Sequence, residues 1–168
     1  GLYLNDGNGN FGLVTDRLPE MLVSKSCVTA ADYDHDGDQD LFVGGRVIPG
    51  QYPVTPESFI LENTGGKFKK LSSDKSGGWS DIGMVTDAEW LDLNEDGWHD
   101  LVLMGEFMAI EIFTNVQGKG FERTTKRFFD TPLTGMWNRM IGFDFDGDGD
   151  QDIMAGNLGL NTQLKAST

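Results

Sequence analysis

The chain has 168 residues, of which 38% are hydrophobic and 24% charged, a composition that supports a folded core and excludes bulk disorder. Thirteen Lys and Arg against 27 Asp and Glu give a formal net charge of −14, which excludes recognition of nucleic acid or an anionic membrane through a basic face. No apolar run approaches the roughly 20 residues of a membrane-spanning helix, and the single cysteine, Cys27, excludes an intramolecular disulfide.

The first predicted element is a β-hairpin. Leu2–Asn5 runs into a turn rich in Gly and Asn and then into Phe11, the pattern of two strands joined by a tight turn. The same pattern recurs at 59–68 and at 111–121. Because the chain opens on such a strand, without an initiator methionine or a leader, we expect it to be a piece of a longer protein.

Three acidic segments, here called the first, second and third acidic loops, share the pattern D-x-[DN]-x-D-G-x-x-D, and each precedes a short apolar run. They start 60 and 52 residues apart. The residues at positions one, three, five, seven and nine are Asp32, Asp34, Asp36, Asp38 and Asp40 in the first loop, Asp92, Asn94, Asp96, Trp98 and Asp100 in the second, and Asp144, Asp146, Asp148, Asp150 and Asp152 in the third.

This pattern is typical of Ca²⁺ binding. Carboxylates crowded into nine residues repel one another unless a cation lies among them. Positions one, three and five can turn side-chain oxygens inward, the Gly at position six allows a sharp turn, position seven can offer its backbone carbonyl, and the Asp at position nine completes the shell. An all-oxygen set suits Ca²⁺, whereas Zn²⁺ favours His and Cys. We therefore predict about three Ca²⁺ sites.

Two alternatives compete with this prediction. An EF-hand needs a bidentate Glu at position twelve and flanking helices, but Val43, Leu103 and Ala155 occupy that position and the flanks have strand patterns. The second alternative is three solvated acidic turns, which three complete motifs make less plausible than one would. We expect the second loop to bind most weakly, because Asn94 replaces a carboxylate.

Strands also lead into the loops, at 27–31, 84–91 and 140–143, and no segment has a helical apolar period. Each repeat is thus strand, acidic loop, strand, connection, strand, Gly turn, strand. The sequence predicts an all-β fold, part of a β-propeller built from four-stranded antiparallel blades. We predict one domain, residues 1–168, with a half blade at 1–20, blades at 24–76 and 80–130, and a half blade at 134–168. An extra loop, 44–58, lengthens the first blade.

With its acidic loops and following N-x-G-x-F hairpins, the chain resembles the FG-GAP/VCBS repeat, which builds integrin-α-like β-propellers with Ca²⁺ in a loop between two blade strands. The resemblance implies metal ligation by the Asp and Asn residues named above. The segments 43–50, 90–94 and 155–162 are similar to bacterial secreted proteins that pair such repeats with an ASPIC/UnbV region. The resemblance therefore implies an extracellular or cell-surface location.

For other side chains the sequence gives weaker evidence of a binding or catalytic role. The four tryptophans, at 79, 90, 98 and 137, could stack on sugars but are more typical of blade packing, with Trp98 expected to be the most exposed. His35 and His99 occupy non-ligand loop positions, and Cys27 is expected to be a buried strand residue. Asp87 and Glu89, two apart on a strand, could form an acid/base pair, but we expect no catalytic residues.

From these patterns we expect a non-catalytic, calcium-binding scaffold for cell-surface adhesion, binding an unknown protein or glycan. The alternatives are a propeller-based hydrolase or lyase acting on carbohydrate, with its site on the face of the loop 44–58, and a purely structural repeat array in a larger secreted protein. A cleft that gathers Asp87, Glu89, Trp137 and Arg139 would favour the enzyme. Half blades leave strand edges unpaired, which predicts self-association between chains.

Overall fold

The structure, a computed structural model, describes residues 1–159, and these are built almost entirely from antiparallel strands. The all-β prediction is confirmed. Helical structure in these residues is confined to two 3₁₀ turns, Ser73–Lys75 and Trp79–Asp81, and one α-helical turn, α1 (Thr125–Phe128). The strands are β1 (Leu2–Asn5), β2 (Phe11–Val14), β3 (Ser24–Ala31), β4 (Asp40–Val47), β5 (Phe59–Thr64), β6 (Lys67–Lys70), β7 (Met84–Leu91), β8 (Asp100–Ala109), β9 (Glu111–Asn115), β10 (Phe121–Arg123), β11 (Thr134–Phe143) and β12 (Asp152–Asn157).

Neighbouring strands in the chain pair with one another. β3 to β6 form a four-stranded sheet in chain order, β7 to β10 repeat this arrangement, and β1 with β2 forms a separate two-stranded sheet. The three predicted hairpins are confirmed by the β1–β2, β5–β6 and β9–β10 pairings. Each four-stranded sheet lies inside one predicted blade, although the blade boundaries themselves stay a prediction.

The pair β11–β12 is joined to the second four-stranded sheet. Thr134–Met136 at the start of β11 pairs with the end of β8, beyond residues 101–103 of β8, which pair with β9. For this reason β11 begins at Thr134, well before the predicted strand at 140–143. Residues 160–168, which include the end of the predicted half blade and of the segment 155–162, lie outside the described residues.

A shared core joins the two four-stranded sheets. Tyr33 of the first acidic loop and Phe42 of β4 are fully buried in one cluster with Leu101 and Phe113 of the second sheet. Trp79, in the 3₁₀ turn between the sheets, is 2% exposed and packs edge-on against Phe113 with ring centroids 6.4 Å apart. The sheets are therefore held together by apolar and aromatic contacts across their faces.

The insertion in the first sheet is shorter than predicted. β4 continues to Val47 because Ser24 and Lys25 of β3 pair with Val47 and Gly45. The connection therefore spans 48–58 instead of 44–58. It folds back closely on the strand, since a Cβ added at Gly45 would lie 2.4 Å from the carbonyl oxygen of Glu57.

Candidate metal centre

The three acidic loops connect β3 to β4, β7 to β8 and β11 to β12. They share one set of internal hydrogen bonds. In the first loop Asp32 accepts from the backbone N–H groups of Asp36 and Gly37, each at 3.1 Å. Asp36 in turn accepts from the N–H of Asp38 at 2.9 Å. Equivalent bonds recur at 92–98 and 144–150. The repeated sequence pattern thus specifies one repeated loop conformation.

Left-handed backbone is needed at two positions of each loop. The predicted Gly at position six has φ of 93° at Gly37, 84° at Gly97 and 102° at Gly149. Position four is also left-handed, with φ of 60° at His35 and 57° at Glu95. The left-handed conformation at position four was not predicted from the sequence. The glycine at this place in the third loop, Gly147, is the signal that could have indicated it.

The carboxylates at positions one, three and nine converge in two of the loops. Asp32, Asp34 and Asp40 each place one oxygen within 4.8 Å of the others, and so do Asp144, Asp146 and Asp152. The position-five carboxylates of Asp36 and Asp148, which are also predicted ligands, are absent from these two groups. The ligand predicted at position seven, in Asp38 and Asp150, is the backbone carbonyl, and it stays a prediction.

Position nine is the most buried of the predicted ligand positions in the first two loops. Asp40 is 1% exposed and Asp100 is fully buried. Burial is the main reason that the pKa of each carboxyl is raised to about 6. Oδ2 of Asp40 is buried and has no hydrogen-bond partner in the part of the chain that the structure describes. A desolvated, unpartnered carboxylate oxygen beside two further carboxylates fits a hard cation.

An asparagine from the following hairpin fixes position nine in both four-stranded sheets. The backbone N–H of Asn63 donates to Oδ1 of Asp40 at 2.7 Å, and that of Asn115 donates to Oδ1 of Asp100 at 2.8 Å. Their side-chain amides donate to the carbonyls of Gln39 (3.0 Å) and His99 (3.1 Å) at position eight. Sequence analysis noted these asparagines as turn residues and missed their contact with the loops.

The second loop differs from its neighbours in its ligands. The Nδ2 of Asn94 donates to Oδ2 of Asp96 at 3.1 Å, where the other loops have two carboxylates. Within residues 1–159, no group of three acidic side chains converges in this loop. Both observations accord with the weaker binding expected of this loop.

The side chains at position seven of the first and second loops have structural roles. Oδ2 of Asp38 accepts from the N–H of Gly65 at 2.9 Å, and this bond ties the loop to the β5–β6 turn. Trp98, expected to be the most exposed tryptophan, is only partly exposed, since its ring stacks on His35 with centroids 4.0 Å apart. The two rings join the first and second loops.

The other candidate residues do not gather in one cleft. Oδ1 of Asp87 lies 3.2 Å from a guanidinium nitrogen of Arg139, while Oδ2 accepts from the N–H of Met140 at 2.9 Å. Trp137 lines a cavity of about 420 Å³ that none of Asp87, Glu89 or Arg139 lines. Cys27 is buried as predicted, and burial raises the pKa of its thiol.

The comparison with protein families decides what kind of repeat this is. The model of the FG-GAP-like repeat matches residues 1–43 and 92–155, which contain all three acidic loops. The chain belongs to the FG-GAP-like repeat family. No curated protein matches the chain. The family assignment agrees with the antiparallel, propeller-like sheets. No helix in the described part of this FG-GAP repeat chain is long and apolar enough to cross a membrane.

Proposed function

We propose that this FG-GAP repeat chain is a calcium-binding β-propeller module. The observation that carries the proposal is the convergence of the carboxylates of Asp32, Asp34 and Asp40, the last of which has a buried oxygen, Oδ2, without a hydrogen-bond partner in the described residues. Asp32, Asp34 and Asp40 would hold the ion in the first loop, with Asp144, Asp146 and Asp152 in the third. Three bound Ca²⁺ would bring the formal net charge from −14 to −8, which relieves repulsion among the loops.

The bound ions would stiffen the first strand pair of each blade. Since Asp40 and Asp100 are also bonded to the hairpin asparagines, ordering a loop orders the third strand as well. We expect dissociation constants of about 10⁻⁴ to 10⁻³ M, the range of extracellular calcium modules. Such affinities suit a module exposed to millimolar Ca²⁺ at the cell surface or outside the cell.

The role that we propose for the module is a non-catalytic scaffold that binds a protein or a glycan. Asp87, one of the two acids that the sequence indicated as a candidate acid/base pair, forms an ion pair with Arg139 and accepts a hydrogen bond from the backbone N–H of Met140. The alternative, a carbohydrate-active enzyme, would need a different acid. A screen against polysaccharides, for binding and for released product, separates the two. Release of product would overturn the non-catalytic role.

The calcium proposal is tested by calorimetric titration together with thermal unfolding in excess Ca²⁺ and in chelator. We expect about three sites and a clear rise in melting temperature with Ca²⁺, because the ion binds the folded loops and not the unfolded chain. Mg²⁺ at the same concentration is the control, since it dehydrates reluctantly and suits an all-protein cage poorly. Absence of both binding and stabilisation would contradict the proposal.

The second loop offers a gain-of-affinity prediction. Replacing Asn94 with Asp should strengthen Ca²⁺ binding at this loop by roughly three- to tenfold, because a fourth carboxylate replaces a neutral amide. Titration of the variant against the native chain measures the effect. Glu95→Gln is the matched control, because Glu95 is a neighbouring acid at a position that is not a predicted ligand. An unchanged affinity in Asn94→Asp would argue against position three as a ligand.

A further inference from the structure

The first and second acidic loops lie against each other. The rings of His35 and Trp98 stack with their centroids 4.0 Å apart and an angle of 15° between their planes. His35 directly follows Asp34, a proposed ligand in the first loop. Trp98 occupies position seven of the second loop, where the backbone carbonyl is the predicted ligand. The stack therefore joins residues at or next to ligand positions of two different sites.

Asn115 is hydrogen-bonded to both loops. Its backbone N–H donates to Oδ1 of Asp100 at 2.8 Å, and its side-chain amide donates to the carbonyl of His99 at 3.1 Å. The same amide donates to the carbonyl of Tyr33, at position two of the first loop, at 2.8 Å. Asn115 is 2% exposed. Because the amide has two hydrogens and bonds once to each loop, this buried side chain is a direct bridge between the two sites.

The turn that follows Asn115 fills the space between the loops. Oδ1 of Asn115 accepts from the N–H of Gly118 at 2.8 Å, so the bridging side chain also fixes this turn. A Cβ added at Gly118 would lie 2.9 Å from Cα of Asp34 and 3.0 Å from the ring of Trp98. There is no room for a side chain here, and neither loop can shift toward the turn without a clash.

Tyr33 anchors the first loop where the bridge reaches it. Its side chain is fully buried, and its ring lies 5.4 Å from that of Phe121, centroid to centroid. The ring also stacks at 6.3 Å on Trp90, which lies two residues before Asp92 at the start of the second loop. The carbonyl that accepts from Asn115 is therefore held by a residue that itself packs against the strand leading into the second loop.

We propose that the first and second acidic loops bind Ca²⁺ cooperatively, and that Asn115 is the positioning residue that couples them. This coupling rests on the proposed calcium binding, which it would regulate. Without an ion, the five carboxylates of the first loop repel one another and favour an opened loop. Opening would withdraw His35 from Trp98 and Asp34 from the Gly118 turn. An ion in the first loop therefore preserves the contacts that order the second.

Two effects of opposite sign act between the sites. A bound ion makes the neighbouring loop less attractive to the next cation, but salt screens this repulsion beyond about 8 Å at physiological ionic strength. The bridge is short-range and buried, so salt does not weaken it in this way. We therefore expect positive cooperativity, in which filling one loop raises the affinity of the other roughly fivefold or more. Linkage requires the same factor in both directions.

Calorimetric Ca²⁺ titration of the full-length chain at physiological ionic strength tests the coupling. All chains carry Asp144→Ala, which removes a proposed ligand of the third loop, so that two sites remain. Adding Asp32→Ala then isolates the second loop. We expect the isolated second loop to bind roughly fivefold more weakly, or weaker still, than the second binding step of the two-loop chain. Equal affinities would overturn the coupling alone. Absence of binding even with all three loops intact would overturn the proposed function as well.

Asn115→Ala tests the bridge itself. In this variant, emptying the first loop should change the affinity of the second by less than about twofold, because the direct link is gone. Asn63→Ala is the matched control, since Asn63 makes the equivalent bonds to Asp40 and Gln39 and, among residues 1–159, none to the second loop. It should keep the full coupling. Coupling that persists in Asn115→Ala, or that is lost equally in both variants, would overturn the role of Asn115.

His35→Gly tests the contact between the loops in a variant that leaves the core intact. His35 is exposed and left-handed, with φ of 60°, and the third loop has a glycine at this position, so the change removes the stack without straining the backbone. The coupling should fall but not vanish, because the Asn115 bridge remains. Glu95→Gly is the matched control at position four of the second loop, where φ is 57°. Equal coupling in the two variants would overturn the proposed route between the loops.

Discussion

Replacing Asp100 with alanine is expected to lower the free energy of unfolding by about 2–4 kcal/mol in excess Ca²⁺. Asp100 is fully buried, and its carboxylate accepts from the N–H groups of Asn115 at 2.8 Å and Leu93 at 3.3 Å. The substitution leaves both donors without this acceptor and removes a proposed calcium ligand. Urea unfolding of the variant and the native chain, at saturating Ca²⁺, measures the difference.

The same substitution should cost less in chelator. Without the ion, the buried carboxylate is itself unfavourable at neutral pH, because burial raises its pKa to about 6, and its removal offsets part of the lost hydrogen bonding. Asp152→Ala is the matched control at the same loop position, since Asp152 is less buried and, among residues 1–159, accepts from the N–H of Phe145. Equal losses in Ca²⁺ and in chelator would show that Asp100 acts through hydrogen bonds and not through the ion.

Replacing Trp79 with alanine should destabilise the chain by about 3–5 kcal/mol, the range for deleting a large buried aromatic side chain. Trp79 is 2% exposed, and its ring lies 5.0 Å from that of Phe121, centroid to centroid, and 6.4 Å from that of Phe113. Its loss would leave a cavity in the core shared by the two four-stranded sheets. Chemical denaturation in Ca²⁺ measures the effect.

Trp98→Ala is the matched control for this prediction. Trp98 is partly exposed, and its contact with His35 joins two loops at the edge of the core. Its removal should cost clearly less, because the space that it leaves is open to water and forms no closed cavity. If both substitutions cost the same, the core between the sheets does not depend on Trp79. The melting temperature should still rise with Ca²⁺ in both variants, since neither removes a predicted side-chain ligand.

Local features could be predicted from the sequence because their causes lie within a few neighbouring residues. The acidic loops depend on the spacing of carboxylates and on a glycine at position six, and the hairpins depend on Gly and Asn between alternating strands. The all-β fold follows from the same short-range patterns and is confirmed. The left-handed conformation at position four could have been inferred only from Gly147, because His35 and Glu95, which occupy this position in the other loops, are not residue types that indicate it.

Contacts between distant residues were decided by the tertiary structure. Asn63 meets Asp40 across a 23-residue separation, and Asn115 meets Asp100 across 15, so neither contact can be read from a local pattern. The extension of β11 along β8 also depends on a contact between residues that are far apart in the sequence.

The sequence by itself determined where this protein turns, where its carboxylates cluster and that it is built from strands. The tertiary structure decided which of these groups lose their water. Asp40 is buried while Asp36, in the same loop, is exposed. Tyr3, two residues before the hairpin Asn5, is exposed, while Phe113, two residues before Asn115, is buried. The physical reason is that burial depends on which strand covers a given face, and that strand comes from elsewhere in the chain.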